Sequence, residues 1–320
     1  MKIAFVGKGG SGKTTLSALF IRHLAAGGRS VLAFDADINQ HLGAALGLTD
    51  DVCAGLVPLG QHLDALKDYL RGDNPRIASA AEMIKTTPPG RGSRLLRVGD
   101  DEPLWARYGL PVDGARLLVT GPFAESDLGV ACYHSKVGAV ELLLNHLVDG
   151  PDEYVVVDMT AGADAFASGL FTRFDLTVLV VEPTRKSVSV YHQYRGYAAE
   201  HDVAVAVVGN KVLDDGDVEF LREQVGDDLI GHVGLSPAVR AAERGARLHL
   251  HDLAPTDRAA LGAVQAALDA TPRDWHRYTR QAVDFHLRNA AAWGGQRTGA
   301  DLAAQVDPGF VLGPEALAPR

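Results

Sequence analysis

Short apolar runs alternate with amphipathic, helix-like stretches along most of the chain. After an apolar N-terminal segment, strand-like runs occupy residues 30–34, 115–119, 154–157, 176–181 and 203–208. Helix-like stretches lie near residues 16–26, 136–148, 186–200, 217–225, 237–244 and 256–269. Continuous apolar runs of this kind are typical of strands that are buried on both faces of a parallel sheet. The pattern therefore predicts an α/β fold of three layers, in which helices cover both faces of a twisted, mostly parallel sheet.

Two departures from this alternation set the predicted domain boundaries. Residues 1–270 are predicted to form the main domain, with an insertion at about residues 50–114 between two strand-like runs. Residues 271–320 are predicted to be a C-terminal extension. Its helix is expected to begin at Thr271, which precedes a proline, and the chain beyond Trp293 is rich in Gly, Ala and Pro. We expect that last part to be a loosely held tail.

The segment between the first strand and the first helix carries the clearest chemical signal. It reads GKGGSGKT and fits the phosphate-binding pattern G-x-x-x-x-G-K-[ST]. Glycines let the backbone amides point at a polyphosphate, the pattern's lysine reaches the β- and γ-phosphates, and its threonine hydroxyl can ligate Mg²⁺. The positive N-terminal end of the following helix adds to the site. The predicted nucleotide-binding residues are Gly7, Lys8, Gly9, Gly10, Ser11, Gly12, Lys13, Thr14 and Thr15.

Three aspartates stand where strand-like runs end. Asp35 and Asp37 close the run at 30–34, and Asp158 closes the run at 154–157. The carboxyl ends of parallel strands form the ligand-binding edge of such a sheet, so these carboxylates are expected to face the phosphates. There they can orient an attacking water or a water bound to Mg²⁺. The alternative for each aspartate is a turn or a helix cap, which is common at strand ends.

A candidate base-reading pair follows the run at 203–208. A guanine-reading motif of the N-K-x-D type begins like Asn210 and Lys211 but requires an acid at position 213, which here is Leu213. Without that carboxylate, the N1 and N2 donors of guanine lose their acceptor, whereas the asparagine amide can pair with the edge of adenine. We therefore expect ATP as the nucleotide. The alternative is an asparagine turn after a strand.

Composition narrows the possible partners. The formal net charge is −9 and the pI is about 5.7, which argues against broad nucleic-acid binding. The sequence contains no apolar stretch of about 18 residues, so no membrane span is expected. Two cysteines, Cys53 and Cys132, lie far apart and form no disulfide framework. This usage suits a reducing compartment, and we expect a cytoplasmic protein.

The second lysine of the loop, Lys8, points to a particular group of ATPases. The string KGGSGKTT resembles the deviant Walker A loop of the MinD/ParA-like P-loop ATPases. The resemblance implies the P-loop NTPase fold and a homodimer in the ATP state, in which Lys8 contacts the partner's nucleotide. It also implies that Lys8, Lys13 and Asp37 are catalytic, with Asp37 activating the water and Asp35 closer to the metal. Gly162 would sense the γ-phosphate. The alternative for Lys8 is a solvated loop lysine.

Further segments resemble one branch of these ATPases. They lie at residues 35–42, 84–87, 107–121, 129–136 and 179–187, within a similarity that spans about residues 1–265. They resemble the CooC-type ATPases that insert nickel during maturation of carbon monoxide dehydrogenase. This resemblance implies a maturation role toward a client protein whose identity the sequence does not reveal.

A possible transition-metal site departs from the pattern of that branch. CooC-type proteins carry a C-x-C pair before the mid-chain helix, and the pairs of two subunits bind one metal. Here the matching residues are Cys132 and His134. Cys-x-His from two chains would form a Cys₂His₂ site suited to Zn²⁺, and Ni²⁺ is the other candidate metal. The alternative is a buried cysteine beside a polar histidine.

Two functions remain open on the sequence. The first is an ATP-driven maturation factor for a metalloenzyme. The second is a positioning or partitioning role of the MinD/ParA type, exerted through a protein partner. A membrane-targeting version of the second is expected to end in a basic amphipathic helix, and a DNA-binding version needs clustered Lys and Arg. Residues 300–320 contain three prolines and little basic charge, which favours the first function.

Overall fold

A central sheet of parallel strands organises the described part of the chain. The computed structural model describes residues 1–99, 102–122, 133–160, 162, 166 and 169–317, without the side chains of 133–135. The strands are β1 (Lys2–Gly7), β2 (Ser30–Ala36), β3 (Leu96–Arg97), β4 (Leu110–Val112), β5 (Ala115–Val119), β6 (Leu147–Val148), β7 (Glu153–Met159), β8 (Leu176–Val181), β9 (Val205–Val212) and β10 (Leu229–Gly234). The main sheet has the order β10-β9-β8-β1-β7-β2-β5-β4. Every neighbouring pair is parallel except β4 and β5.

Helices cover both faces of this sheet, as the apolar pattern predicted. They are α1 (Lys13–Ala26), α2 (Leu42–Ala45), α3 (Asp50–Ala54), α4 (Leu63–Arg71), α5 (Pro103–Tyr108), α6 (Tyr133–His146), α7 (Arg185–Ala199), α8 (Asp215–Val225), α9 (Pro237–Ala242), α10 (Pro255–Ala270), α11 (Trp275–Asn289) and α12 (Gly295–Thr298). A π-helical turn, Ala290–Gly294, joins α11 to α12. The predicted three-layer α/β fold is confirmed.

Alternate residues of the central strands point to opposite faces of the sheet and pack in two separate hydrophobic cores. In β1, Ile3 and Phe5 join the core that contains apolar residues of α1 and α10. Ala4 and Val6 point to the other face and join the core formed with α6, α7 and α8. Because β1 is buried on both faces between β7 and β8, its carboxyl end is held rigidly. The phosphate-binding loop begins at that end.

Two strand boundaries differ from the sequence prediction in a way that matters for the site. β9 extends to Val212, so Asn210 and Lys211 lie in the last part of a strand and not in the turn after it. β7 extends to Met159, so Asp158 is itself a strand residue, paired in register with Asp35 of β2. Ladder hydrogen bonds thus fix the backbone of both aspartates. The apolar runs placed the end of each strand too early, because the polar residues at that end interrupt the apolar pattern.

The C-terminal extension begins later and packs more firmly than predicted. Its helix starts at Trp275, where the Asp274 side chain accepts a hydrogen bond from the Arg277 amide at 2.8 Å. Thr271 instead closes α10. The tail is not loose as far as residue 317. The buried carboxylate of Asp307 lies 2.7 Å from the Arg91 guanidinium of the insertion.

Further polar contacts attach the same tail to the insertion and to α11. The Gln305 amide donates to the Glu82 carbonyl at 3.1 Å, and His286 of α11 bonds the Leu302 carbonyl at 2.9 Å. Composition suggested a loose tail, but the hydrogen-bond partners that hold it to the insertion lie more than 200 positions away in the chain. Within the described residues, no helix is both long and apolar enough to cross a lipid bilayer.

Candidate nucleotide site

The phosphate-binding loop connects β1 to α1 and requires glycine at two close approaches. A Cβ on Gly7 would lie 2.7 Å from the Val180 carbonyl oxygen of the neighbouring strand. Gly12 caps α1 with a φ of 93°, and a Cβ there would lie 2.1 Å from the side-chain nitrogen of Asn210. The two glycines therefore let β8 and β9 press directly on the loop, which fixes its curvature.

Two side chains of β9 hold the loop from behind. The Asn210 amide donates to the Ser11 carbonyl at 2.7 Å, and the Lys211 ammonium donates to the Gly10 carbonyl at 2.6 Å. These two hydrogen bonds hold the loop in place as a binding site for an anion. Asn210 is buried, and Lys211 has a left-handed φ of 59°, which aims its side chain back along the loop.

Glu182, which the sequence analysis did not single out, links two lysines of the site. It follows β8, and its Oε1 lies 2.7 Å from the Lys211 ammonium. Its Oε2 lies 3.6 Å from the ammonium of Lys8, whose side chain is 38% exposed. An acid directly after an apolar run was the signal used for Asp35 and Asp158, and the same signal was present here.

The catalytic candidates of the loop and of β2 meet in a buried ion pair. The Lys13 ammonium lies 2.6 Å from Oδ2 of Asp37, and these side chains are 9% and 5% exposed. Ser17, one turn into α1, donates to Oδ1 of Asp158 at 3.2 Å. Lys13, Asp37 and Asp158 were predicted to share one site from their positions after strands, and the structure brings them together.

Burial shapes the protonation of the two strand-end aspartates. It raises the pKa of Asp158 to about 6, although the charge of Lys13 and the hydroxyls of Thr14 and Ser17 act in the opposite direction. The pKa of Asp35 is raised well above its usual value by burial and by the charge of Asp158. Carboxylates that repel one another in a buried site favour a bound cation.

Within the described part of the chain, one carboxylate oxygen of Asp158 has no hydrogen-bond partner, whereas both oxygens of Asp35 have one. Oδ2 of Asp158 is buried and has no hydrogen-bond partner among the described residues, and the same holds for the hydroxyl of Ser11. Both oxygens of Asp35 instead accept backbone hydrogen bonds, from Asp37 at 3.2 Å and from Leu42 at 2.9 Å. Asp158 therefore has an oxygen to offer a metal, whereas Asp35 mainly holds the segment that carries Asp37.

A cavity lies beside the loop, next to the predicted base reader. Its volume is about 270 Å³, and its lining includes Gly12, Thr15, Asn210, Leu235 and Val239. The loop forms one wall, and the segment from the end of β10 into α9 forms the other. The predicted base reader, Asn210, thus lies between the phosphate loop and this cavity.

The remaining predicted residues are only partly described. Gly162 has a left-handed φ of 70°, and a Cβ there would meet no atom within 4 Å. Cys132 lies outside the described residues, as does the side chain of His134. In the ranges that the structure does describe, no three His, Cys, Asp or Glu side chains cluster in a way that could hold a metal ion.

Comparison with known proteins identifies the family. Residues 3–248 match the CobQ/CobB/MinD/ParA nucleotide binding domain. The chain belongs to this family. It is 28% identical to the carbon monoxide dehydrogenase accessory protein CooC of Rhodospirillum rubrum over 84% of the chain and 96% of that protein. It is 30% identical to an uncharacterized ATP-binding protein of Methanocaldococcus jannaschii, over 76% of the chain and 88% of that protein.

Solved structures of this family have the same fold. The MinC:MinD cell division protein complex of Aquifex aeolicus matches with a TM-score of 0.56 at 21% identity, over 85% of this chain and 97% of that one. A putative plasmid partition protein of Borrelia burgdorferi bound to AMPPNP matches with a TM-score of 0.53 at 12% identity, over 84% and 98%. Family membership and the loop together make this chain an ATP-binding P-loop ATPase, similar to the CooC and MinD/ParA proteins.

The close approach at Gly12 generates a stability prediction. Gly12→Ala places a methyl group against Asn210 at a left-handed φ, so we expect the free energy of unfolding to fall by about 1–3 kcal/mol. Urea denaturation measures this change. Gly9→Ala is the matched control, because a Cβ at Gly9 meets no atom within 4 Å and its effect is expected to stay within about 0.5 kcal/mol. Equal losses in the two variants would contradict the described packing of the loop.

Proposed function

We propose that this ATPase is a Mg²⁺-dependent switch that dimerises with ATP and serves the maturation of a metalloenzyme. The observation that carries the ATP-dependent part is the buried pair of Lys13 and Asp37 beside Asp158. It joins a phosphate-binding cation, a water-orienting carboxylate and a metal-binding carboxylate within one site. The CooC likeness supports the maturation part.

The residues at the loop fit a magnesium ion. Mg²⁺ is held in such sites by one or two protein oxygens together with phosphate oxygens and waters. Thr14 and the unpartnered Oδ2 of Asp158 supply oxygens of this kind, and Asp35 stands beside Asp158 in the sheet. When bound, the ion neutralises charge on the β- and γ-phosphates.

Lys13 and Asp37 exchange partners when phosphate enters. The Lys13 ammonium turns from Asp37 to the β- and γ-phosphate oxygens, which carry more charge than one carboxylate. Asp37 then loses its counter-ion and becomes a free hydrogen-bond acceptor for the attacking water. Asn210 keeps one amide hydrogen on Ser11, while its side-chain oxygen accepts from the amino group of adenine.

Lys8 has a comparable choice of partners. In this single chain it lies near Glu182, whose other oxygen is bound to Lys211. A half-exposed ion pair of this length is weak, so Lys8 can leave it for the phosphates of a second subunit. Glu182 then competes with the phosphates of the second subunit for Lys8, and dimerisation requires that Lys8 leave Glu182.

The proposed cargo site rests on sequence alone. Cys132 and His134 of two subunits would together supply four ligands to a Zn²⁺ or Ni²⁺ ion, which one subunit cannot do. The relative from Rhodospirillum rubrum is an accessory protein of carbon monoxide dehydrogenase, and by analogy the client of this chain is a metalloenzyme. The Gly162 amide is proposed to report the γ-phosphate to this part of the dimer.

Loss of either member of the central ion pair separates binding from hydrolysis. We expect Lys13→Ala to lose ATP binding by at least about tenfold, because a charge-assisted contact contributes about 1.5–3 kcal/mol. Asp37→Ala should bind Mg·ATP with normal or higher affinity but hydrolyse it at least about 100-fold more slowly. Calorimetric titration and phosphate release measure the two effects. Wild-type turnover by Asp37→Ala would contradict the water-orienting role of Asp37.

The absence of an acid at position 213 predicts a preference for adenine. In parallel calorimetric titrations, GTP should therefore bind more weakly than ATP.

Dimerisation should respond in opposite directions to changes at Lys8 and Glu182. With a saturating non-hydrolysable ATP analogue, Lys8→Ala should bind nucleotide and stay monomeric in light scattering. Glu182→Gln should tighten the dimer several-fold, because Lys8 no longer has a competing carboxylate. Lys211→Met is the control. It removes the other contact of Glu182 but leaves the carboxylate that competes for Lys8, so it should not tighten the dimer. A Glu182→Gln dimer as weak as the wild-type dimer would rule out the competition.

Metal binding should depend on one of the two cysteines. We expect one Zn²⁺ or Ni²⁺ per two wild-type chains and none in Cys132→Ser, measured by metal analysis after desalting. Cys53→Ser is the matched control and should keep the metal. Metal retained in full by Cys132→Ser would remove the residue-level basis of the proposed cargo site, while the ATPase activity would remain as proposed.

A further inference from the structure

A second cavity lies between the insertion and the C-terminal extension, outside the nucleotide site. Its volume is about 600 Å³, which is within the range of small-molecule sites. α4 and the segment around Met83 form one wall, and the π-helical turn with α12 forms the other. None of its lining residues belongs to the phosphate loop or to the strand ends that carry the aspartates.

The polar groups of this cavity are mainly cationic. Lys67, Lys85 and Arg297 line it, against the single carboxylate of Asp64. This local excess of positive charge stands out because the whole chain carries a formal charge of −9. An anion in the cavity would complement it.

The most buried of these cations lacks a strong partner. The Lys67 side chain is 10% exposed, and its contact is Asp64 at 3.4 Å, whose own side chain is 96% exposed. Solvent screens such a pair, so it compensates little for the lost hydration of the ammonium. Within the described chain, Lys85 has no hydrogen bond or ion pair. Two ammonium groups are therefore available to a ligand.

An aromatic wall completes the cavity. Trp293 lies in the π-helical turn, and its indole nitrogen donates to Asn289 at 2.9 Å, which fixes the ring. The turn packs tightly on the insertion, because a Cβ on Gly294 would lie 3.1 Å from a methyl group of Ile84. π-helical turns occur frequently at functional sites, and here the turn brings the indole ring next to the cations, with the Arg297 guanidinium over one part of it at 5.8 Å from the ring centroid.

We propose that this cavity binds a small organic anion that joins a carboxylate or phosphate group to an aromatic body. Lys67, Lys85 and Arg297 hold the anionic group, and the body rests on the ring of Trp293. The site is independent of the proposed maturation role, because it uses no residue of the nucleotide or metal sites. It would tie the extension to the insertion whenever the ligand is bound.

An anionic aromatic dye tests the proposal on the full chain. With one equivalent of Mg·ADP per chain to fill the phosphate loop, 1-anilinonaphthalene-8-sulfonate should bind at one saturable site, measured by its fluorescence. Lys67→Met and Arg297→Gln should each weaken binding about tenfold, and Lys186→Met, an exposed lysine outside the cavity, should not. Arg297 is exposed, so its variant serves even if Lys67→Met fails to fold. Unchanged binding in Arg297→Gln would overturn the proposal.

Two further arms test the chemistry of the ligand. N-phenyl-1-naphthylamine has the same aromatic body without the sulfonate and should bind at least about tenfold more weakly. Equal binding of the two dyes would mean that the cavity is merely apolar, and the proposal would fail. Benzoate and phenyl phosphate compete with the dye to distinguish a carboxylate from a phosphate ligand. If neither displaces it, the cavity does not select aryl anions and the proposal is rejected.

Discussion

The site depends on one buried ion pair, formed where β2 and the phosphate loop meet. Lys13 and Asp37 are almost fully buried and lie 2.6 Å apart. A buried pair of this kind is costly to break on one side only, because the remaining charge is left without a partner. In the proposed mechanism, incoming phosphate replaces Asp37 as the partner of Lys13, and the freed carboxylate of Asp37 accepts a hydrogen bond from the attacking water. The proposal thus couples ATP binding to water activation through the Lys13–Asp37 contact.

The strands beside β1 make this coupling possible. β7 places Asp158 next to Asp35, and β8 and β9 deliver Glu182, Asn210 and Lys211 to the rear of the loop. Asn210 and Lys211 donate hydrogen bonds to two carbonyl oxygens of the loop, so the loop is held in place before nucleotide binds. Rigid donors that need no reorganisation stabilise developing charge more effectively than mobile ones. The sheet thus contributes to the chemistry through the order of its strands.

Much of the fold and of the loop could be predicted from the sequence, since both signals are local. The apolar runs gave the strands, and the loop pattern gave Lys13 and Thr14 because the required residues are consecutive. Glu182 carries the same local signal as Asp35 and Asp158, but its partners could not be predicted, since Lys8 and Lys211 come from distant segments that only the sheet order brings together. The tail was misjudged for the same reason, because composition says nothing about the buried contact of Asp307 with Arg91.

We propose that two subunits share each active site through Lys8. Mixing two inactive variants, Lys8→Ala and Asp37→Ala, tests it most directly. In a mixed dimer, the Lys8→Ala subunit retains Asp37 and receives Lys8 from its partner, so one site is complete. If Lys8 acts across the dimer, ATP hydrolysis reappears in the mixture at no more than about half of the wild-type rate, because each mixed dimer has one intact site out of two. A mixture as inactive as its two components would contradict a lysine that acts across the dimer.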